Sequence, residues 1–396
     1  MGKNEYPRKG ETGKCHPDPT SPWRDAWMWE TVIDSRVIHC VNHPVEPSDS
    51  MVSSATGYEL VGSYNWKASQ DPKIYIPGFA AVLQEVSFPI TVPEDQATRS
   101  MNDSTARVPE CSFEPLFRAT ASMNPSFRFD EVDILVNRNS LRKLLDFCRG
   151  RRQDSFRINL YLVHRTLIIE RCEKTVSKLI GGSQNSGWGR NFERTLTRYP
   201  PGLEDSTAHQ RALRYQLGDL TCVVRFEVDA CYERKVEEGG TSQSLARAMS
   251  RLQTDDSQGR NASASQQPTQ RVPMAQANAA EIKTAARRKT PGAYMPQLWF
   301  GRTPWLILGQ HTNGTFEKPR ITDTAAQFAS WEETHQLDLR KLAAVLAQLR
   351  EAVRENGGKV CIAIHEKATE TSNIKVYPSC VAKEAVPEKL KGELWS

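Results

Sequence analysis

A chain of 396 residues with 38% hydrophobic and 25% charged side chains holds enough apolar material for a sizeable core, which excludes a wholly disordered protein. The formal charge of +5 favours an anionic partner such as nucleic acid without identifying one. Nine cysteines, an odd number without a CxxC pair, argue against a disulfide framework, and no apolar run reaches the ~18 residues of a membrane span, so a soluble intracellular protein, nuclear or cytoplasmic, is expected.

Residues 1–22 are rich in Pro, Gly, Lys and Glu, lack an apolar stretch, and read as a disordered arm. From 23 to 126, short β-like runs such as ValIleHisCysVal (37–41) and LysIleTyrIle (73–76) alternate with turn signals, including Pro77-Gly78. They predict an N-terminal β-rich lobe packed on the main sheet. The polar stretch 92–111 reads as a solvent loop. Cys40 and His43 have the spacing of half a zinc site, but no second pair completes it.

From 127 onward helix and strand patterns alternate. The runs at 132–136, 158–163 and 166–169 predict strands, with a helix through Leu141, Leu144 and Leu145. The stretch 187–199 suits a short helix with Phe192 and Leu196 turned inward, and 219–231 suits a buried strand. Residues 235–280, rich in Ser, Gln, Ala and Gly, read as a low-complexity insertion into a single domain made of 23–234 and 281–386. Order returns at 295–301 and in the strand-like run 303–309. Leu339, Leu342, Leu346, Leu349 and Val353 then predict an amphipathic helix over 337–356, stopped by Gly357-Gly358. A last strand falls at 360–364, and 387–396 reads as a tail.

The chemistry concentrates in ArgPheGluValAspAla (225–230), where a strand would turn Glu227 and Asp229 to the same face. Paired carboxylates repel and are costly to bury unless a proton or cation stabilises them, and a divalent metal ion would do so; the plain alternative is the solvent face of an edge strand. GluIleLysThr (281–284) offers a second such pair, in which Glu281 could share the metal and Lys283 stabilise charge on a phosphate; alone, the pattern is an ordinary surface ion pair. Glu193, in GlyArgAsnPheGlu (189–193), would project from a helix as a further acid, and Gln297 could bond a substrate or a water.

An acid on a helix, then ExD, then ExK, then a Gln-bearing helix is an order that resembles the PD-(D/E)XK-type decapping exoribonucleases. AspIleLeuValAsnArgAsnSerLeuArgLysLeuLeu (133–145) is similar to the family's first motif, with Arg138 at its Arg position, and GlyArgAsnPheGlu to its GxxFE motif. The run 297–314 is similar to the segment where a Gln helix leads into a strand ending in Gly. The resemblance implies a mixed α/β fold in which helices flank a central mixed β-sheet. It further implies Mg²⁺ or Mn²⁺ held by Glu193, Glu227, Asp229 and Glu281, assistance from Lys283 and Gln297, and substrate phosphates on Arg138. The activity implied is decapping, pyrophosphohydrolase or 5′-to-3′ exoribonuclease action on RNA 5′ ends, with a 5′-to-3′ exoribonuclease as a candidate protein partner. Asn139 stands where the family usually has Gly, the ExD-to-ExK gap is long, and the Lys283-to-Gln297 gap is short. These departures leave room for a member that binds RNA or protein without catalysis. An isoprenoid diphosphate synthase is disfavoured, since no DDxxD motif occurs.

Overall fold

The computed structural model describes residues 25–395 except 35, 70, 101–102, 175–176, 181–186, 235–271, 288, 368–372 and 382. The expected arm at 1–22 and most of the expected insertion lie outside the described residues. In chain order the first elements are β1 (His39–Val41), β2 (Glu59–Lys67), β3 (Ile74–Tyr75), β4 (Val82–Leu83), β5 (Ile90–Thr91), β6 (Ala97–Ser100), α1 (Asp103–Arg107) and α2 (Glu114–Met123). There follow β7 (Ile134–Asn137), α3 (Arg138–Cys148), β8 (Phe156–Val163), β9 (Thr166–Arg171), β10 (Ser177–Ile180) and α4 (Gly189–Leu196). Next come β11 (Thr197–Arg198), β12 (Ser206–Leu217), β13 (Leu220–Glu227) and β14 (Ala230–Cys231). The last third adds β15 (Ala279–Ala285), α5 (Met295–Phe300), β16 (Trp305–Thr312), β17 (Thr315–Phe316), β18 (Arg320–Asp323), α6 (Phe328–Glu355), β19 (Cys361–His365), β20 (Ile374–Pro378) and α7 (Glu388–Leu394).

Two large sheets carry the architecture. The first has the order β1-β20-β19-β8-β9-β7-β13-β12-β2-β3, with parallel pairing, among the described residues, only where β7 meets β13 and β9. The second runs β11-β4-β14-β15-β16-β17-β5, with β18 also on β16 and a parallel β15/β16 pair. This is the mixed α/β arrangement that the sequence predicts.

Period-two alternation explains why the first sheet is buried on both faces. Along β7, Ile134 and Val136 join one apolar cluster and Leu135 the other; along β13, Cys222, Val224 and Phe226 face one way and Val223 the opposite way. Helices α3, α5 and α6 supply the first cluster through Leu141, Leu298 and Leu346, whereas α2 and α7 cover the other face through Phe117 and Leu394. The β-rich start of the chain is no separate lobe: β1 pairs with β20 and β2 with β12 in the first sheet, and β4 pairs with β14 in the second.

Two sequence boundaries need correction, and the long helix needs an addition. The stretch 92–111 is not a plain solvent loop, because Val92, Asp95 and Cys111 are buried and α1 lies within it. Order resumes before residue 281: Met274 is buried, its carbonyl accepts from Arg211 Nη1 at 2.8 Å, and Ala279 and Ala280 already belong to β15, where small side chains fit an interior strand. A further helical segment from Phe328 leads into the long helix, where Trp331 packs on Trp299 and Glu332 accepts from Trp299 Nε1 at 2.6 Å; non-helical backbone at His335 (φ −112°, ψ 15°) kinks α6 just before the expected start at 337, and Gly357 and Gly358, both with positive φ, end it as expected.

Within the expected tail at 387–396, residues Glu388–Leu394 form a docked helix. Trp395, just after α7, stacks on Phe129 at 4.7 Å and meets Phe117 edge-on at 5.5 Å. Trp395→Ala should therefore cost ~3–5 kcal/mol, as buried aromatic truncations do, and lower the urea midpoint without changing far-UV circular dichroism. An unchanged midpoint would show that α7 is dispensable.

Candidate functional site

The chain leaves the first sheet at the end of β13 and enters the second at β14, and Asp229 sits on that crossing. Val228 N–H donates back to His209 O at 3.0 Å, closing the first sheet, while Ala230 pairs with Ala280 on β15. The expected strand 219–231 is thus broken at its acidic residues, and β15 comes alongside. Ile282 N–H donates to Asp229 Oδ2 at 2.8 Å, so the Asp229 carboxylate takes the place of a ladder partner.

Along β15, Ala280 and Ile282 bury against Phe192 and Phe316, which turns Glu281 and Lys283 to the opposite side. Lys283 Nζ lies 3.5 Å from Asp229 Oδ2 and donates to Glu281 Oε1. Arg138, the first residue of α3 after β7, reaches Glu281 Oε2 at 3.1 Å. Gln297 on α5 donates through Nε2 to Glu281 Oε1, and its own Oε1 accepts from Arg142 Nη1 at 3.2 Å. Five sequence-selected residues, Arg138, Asp229, Glu281, Lys283 and Gln297, thus form one connected network.

Glu193 and Glu227 join it through charge. Glu193 is half-buried on α4 and Glu227 half-buried at the end of β13. Burial, then Asp229 and Glu227, push the Glu193 carboxyl well above the usual range. Burial, then Glu281, push Asp229 up to about 7. Glu281 goes the other way: burial opposes its ionisation, but Lys283 and Arg138 outweigh burial and hold it at about 2. Lys283 is raised in turn, since Glu281 and Asp229 outweigh the cost of burying an ammonium.

Among the described residues, no three or more His, Cys, Asp or Glu side chains are grouped so that they could hold a metal ion as they stand. Lys283 and Arg138 already neutralise Glu281, and Lys283 reaches Asp229 as well, so a cation at these carboxylates would compete with them. The donor chemistry still fits a hard divalent cation. All four acids offer oxygen, and Glu193 and Asp229 bear an ionisation cost that a cation would remove.

Three further residues shape the site. Arg142 lies one turn beyond Arg138, an i, i+4 relation visible in the sequence once α3 is recognised. Asp95 gave no sequence signal; its carboxylate accepts from Arg190 N–H at 3.0 Å and Asn191 N–H at 2.9 Å, capping the helix that carries Glu193. Gly309 allows β16 to pass Phe192: a Cβ there would lie 2.5 Å from the Phe192 ring, which is stacked on Phe316 at 4.0 Å.

A family model described as Domain of unknown function (DUF8563) matches residues 35–395. The chain belongs to that family. No curated protein matches it in sequence. Among solved structures, Scheffersomyces stipitis Rai1 in complex with (3′-NADP)+ and calcium ion is similar with a TM-score of 0.55 at 11% identity, covering 91% of this chain and 98% of that one. Candida albicans Rai1 in complex with pU5-Mn2+ gives 0.54 at 11% identity, with 90% and 100% covered. S. pombe Rai1 in complex with 3′-FADP gives 0.51 at 10% identity, with 87% and 98% covered. These likenesses show the fold, so the mixed α/β fold implied by the sequence motifs holds. No helix among the described residues is long and apolar enough to cross a membrane.

The raised carboxyl of Asp229 makes a signed prediction. Between an unfolded value near 3.8 and a folded one of about 7, folding binds a proton, so the site loses stability as pH rises through that window. In EDTA, Asp229→Asn should melt above the wild type at pH 8, and the advantage should shrink steadily toward pH 4. An advantage that is constant with pH would show that Asp229 ionises freely.

Proposed function

We propose that this protein is a divalent-metal-dependent hydrolase of RNA 5′ ends. The observation that carries the proposal is the meeting of Asp229 and Glu281 on neighbouring stretches, joined by Lys283, although the long insertion separates them in sequence. The fold neighbours solved with pU5-Mn2+, with calcium and (3′-NADP)+, and with 3′-FADP support both the ligand class and the use of a divalent ion.

Glu193, Glu227, Asp229 and Glu281 would hold Mg²⁺ or Mn²⁺, which when bound supplies polarisation of the phosphate and of the attacking water. The chain's own cations do the rest. Arg138 presents a planar fork suited to two phosphate oxygens and positions the 5′ phosphate. Lys283, kept protonated by its two carboxylates, stabilises the negative charge that grows on the phosphate during attack. Gln297 fixes the orientation of Glu281 and is itself fixed by Arg142.

A second reading, an RNA-binding or protein-interaction module without catalysis, is favoured by one specific observation: Glu281 is saturated by internal donors. Turnover separates the two readings. Purified protein should hydrolyse 5′-triphosphorylated or incompletely capped RNA with Mn²⁺ or Mg²⁺ and not with EDTA, and Asp229→Asn or Glu281→Gln should lower the rate at least ~10²-fold. Equal turnover by wild type and Asp229→Asn would end the hydrolase reading, and no turnover by wild type would favour the binding module. Whether a 5′-to-3′ exoribonuclease associates with the protein is tested by co-purification, and nuclear or cytoplasmic residence by imaging a tagged full-length chain.

A further inference from the structure

Each oxygen of Glu281 is already engaged. Oε1 accepts from Lys283 and Gln297, Oε2 accepts from Arg138 at 3.1 Å, and the residue is only 1% exposed. A cation that is to bind Glu281 must displace one of these donors. They are not equally easy to displace. Lys283 is also tied to Asp229 and donates to Ile282 O at 3.1 Å, and Gln297 is anchored by Arg142. Arg138 makes one ion pair among the described residues, and its guanidinium otherwise lies over the Phe226 ring at 5.3 Å. The side chain beside its Nη1 is absent, since Gly301 occupies that position and a Cβ there would come within 3.1 Å.

We propose that Arg138 alternates between Glu281 and a substrate phosphate, so that a divalent cation and a 5′-phosphorylated RNA bind with positive coupling. The proposal rests on the hydrolase reading above. In the free protein Arg138 stands in for the cation against Glu281. A phosphate draws the guanidinium away because it offers two charged oxygens to the fork, which frees Glu281 Oε2 for the metal ion. Linkage makes the effect reciprocal: whatever factor the phosphate adds to metal affinity, the metal adds to phosphate affinity.

The test measures Mn²⁺ binding calorimetrically with the full-length protein, first alone and then with a pentanucleotide carrying either a 5′-phosphate or a 5′-hydroxyl, phosphorothioate-linked to prevent cleavage. Arg138→Gln removes the competitor and should bind Mn²⁺ about tenfold more tightly than wild type without RNA, the size of one lost charge-assisted hydrogen bond. Arg142→Gln removes the same charge one helical turn away, where it faces Gln297 rather than a carboxylate, and should change the affinity less than about threefold. In wild type the 5′-phosphate should tighten Mn²⁺ at least about fivefold over the 5′-hydroxyl, and in Arg138→Gln that difference should vanish. Arg138→Lys, which keeps the charge without the fork, should fall between wild type and Arg138→Gln, and serves if the glutamine variant does not fold. Equal Mn²⁺ affinity in wild type, Arg138→Gln and Arg142→Gln would overturn the coupling while leaving the hydrolase reading intact. Absence of Mn²⁺ binding in every arm, or binding unaffected by Asp229→Asn, would overturn the hydrolase reading itself.

Discussion

The buried carboxylate of Glu281 is the constraint around which this molecule is arranged. An isolated charge at 1% exposure would be prohibitive, and it is tolerated because Lys283, Arg138 and Gln297 surround it. Each partner comes from a different element, so β15, α3 and α5 must all be in place before the charge is satisfied. That requirement ties the helical layer of the first sheet to the second sheet. It also separates the two acidic behaviours of the site, since Lys283 and Arg138 hold Glu281 ionised, whereas burial, joined by Glu281 at Asp229 and by Asp229 at Glu193, raises the other two carboxyls.

Much of this was legible in the sequence, and the reasons are physical. The unbroken apolar runs at 134–136 and 222–224 announce strands buried on two faces, and the Leu ladder of α6 announces a packed helix. The site residues were readable as two i, i+2 pairs, because a strand's geometry converts that spacing into a shared face. The sequence was silent where a feature depends on contacts made far along the chain. AlaGlnAlaAsnAlaAla before Glu281 has the composition of a linker, yet its alanines are what a crowded interior strand accepts, and Gln276 Nε2 bonds the carbonyls of Gly301 and Arg302 at 2.9 and 3.1 Å. Likewise the polarity of 92–111 conceals Asp95, whose role appears only once α4 lies against it. Trp395, near the C-terminus, gives no periodic signal and is recognised only by the aromatic cluster it joins.

The departures from the decapping exoribonuclease motifs also take on physical meaning. A long segment between ExD and ExK leaves the site intact because Ala230 and Cys231 pair with Ala280 and Ala279, and closure of the intervening chain carries only a logarithmic entropy cost with length. The short Lys283-to-Gln297 interval suffices because α5 starts soon after β15 and brings Gln297 directly onto Glu281. Asn139, where the related motif has Gly, sits in the first turn of α3 beside Arg138, and α3 forms there without interruption.

The crossing at Val228 and Asp229 has one more consequence. Glu227 belongs to the last rung of the first sheet and Glu281 to the second, with Asp229 between them, so any ligand held by all three spans the seam between the two sheets. Such a ligand acts as a clasp. Where the folding transition state forms the sheets before it joins them, a clasp across the seam leaves the folding rate nearly unchanged and slows unfolding, so occupancy is read in the protein's lifetime under denaturing stress more than in the speed with which it forms.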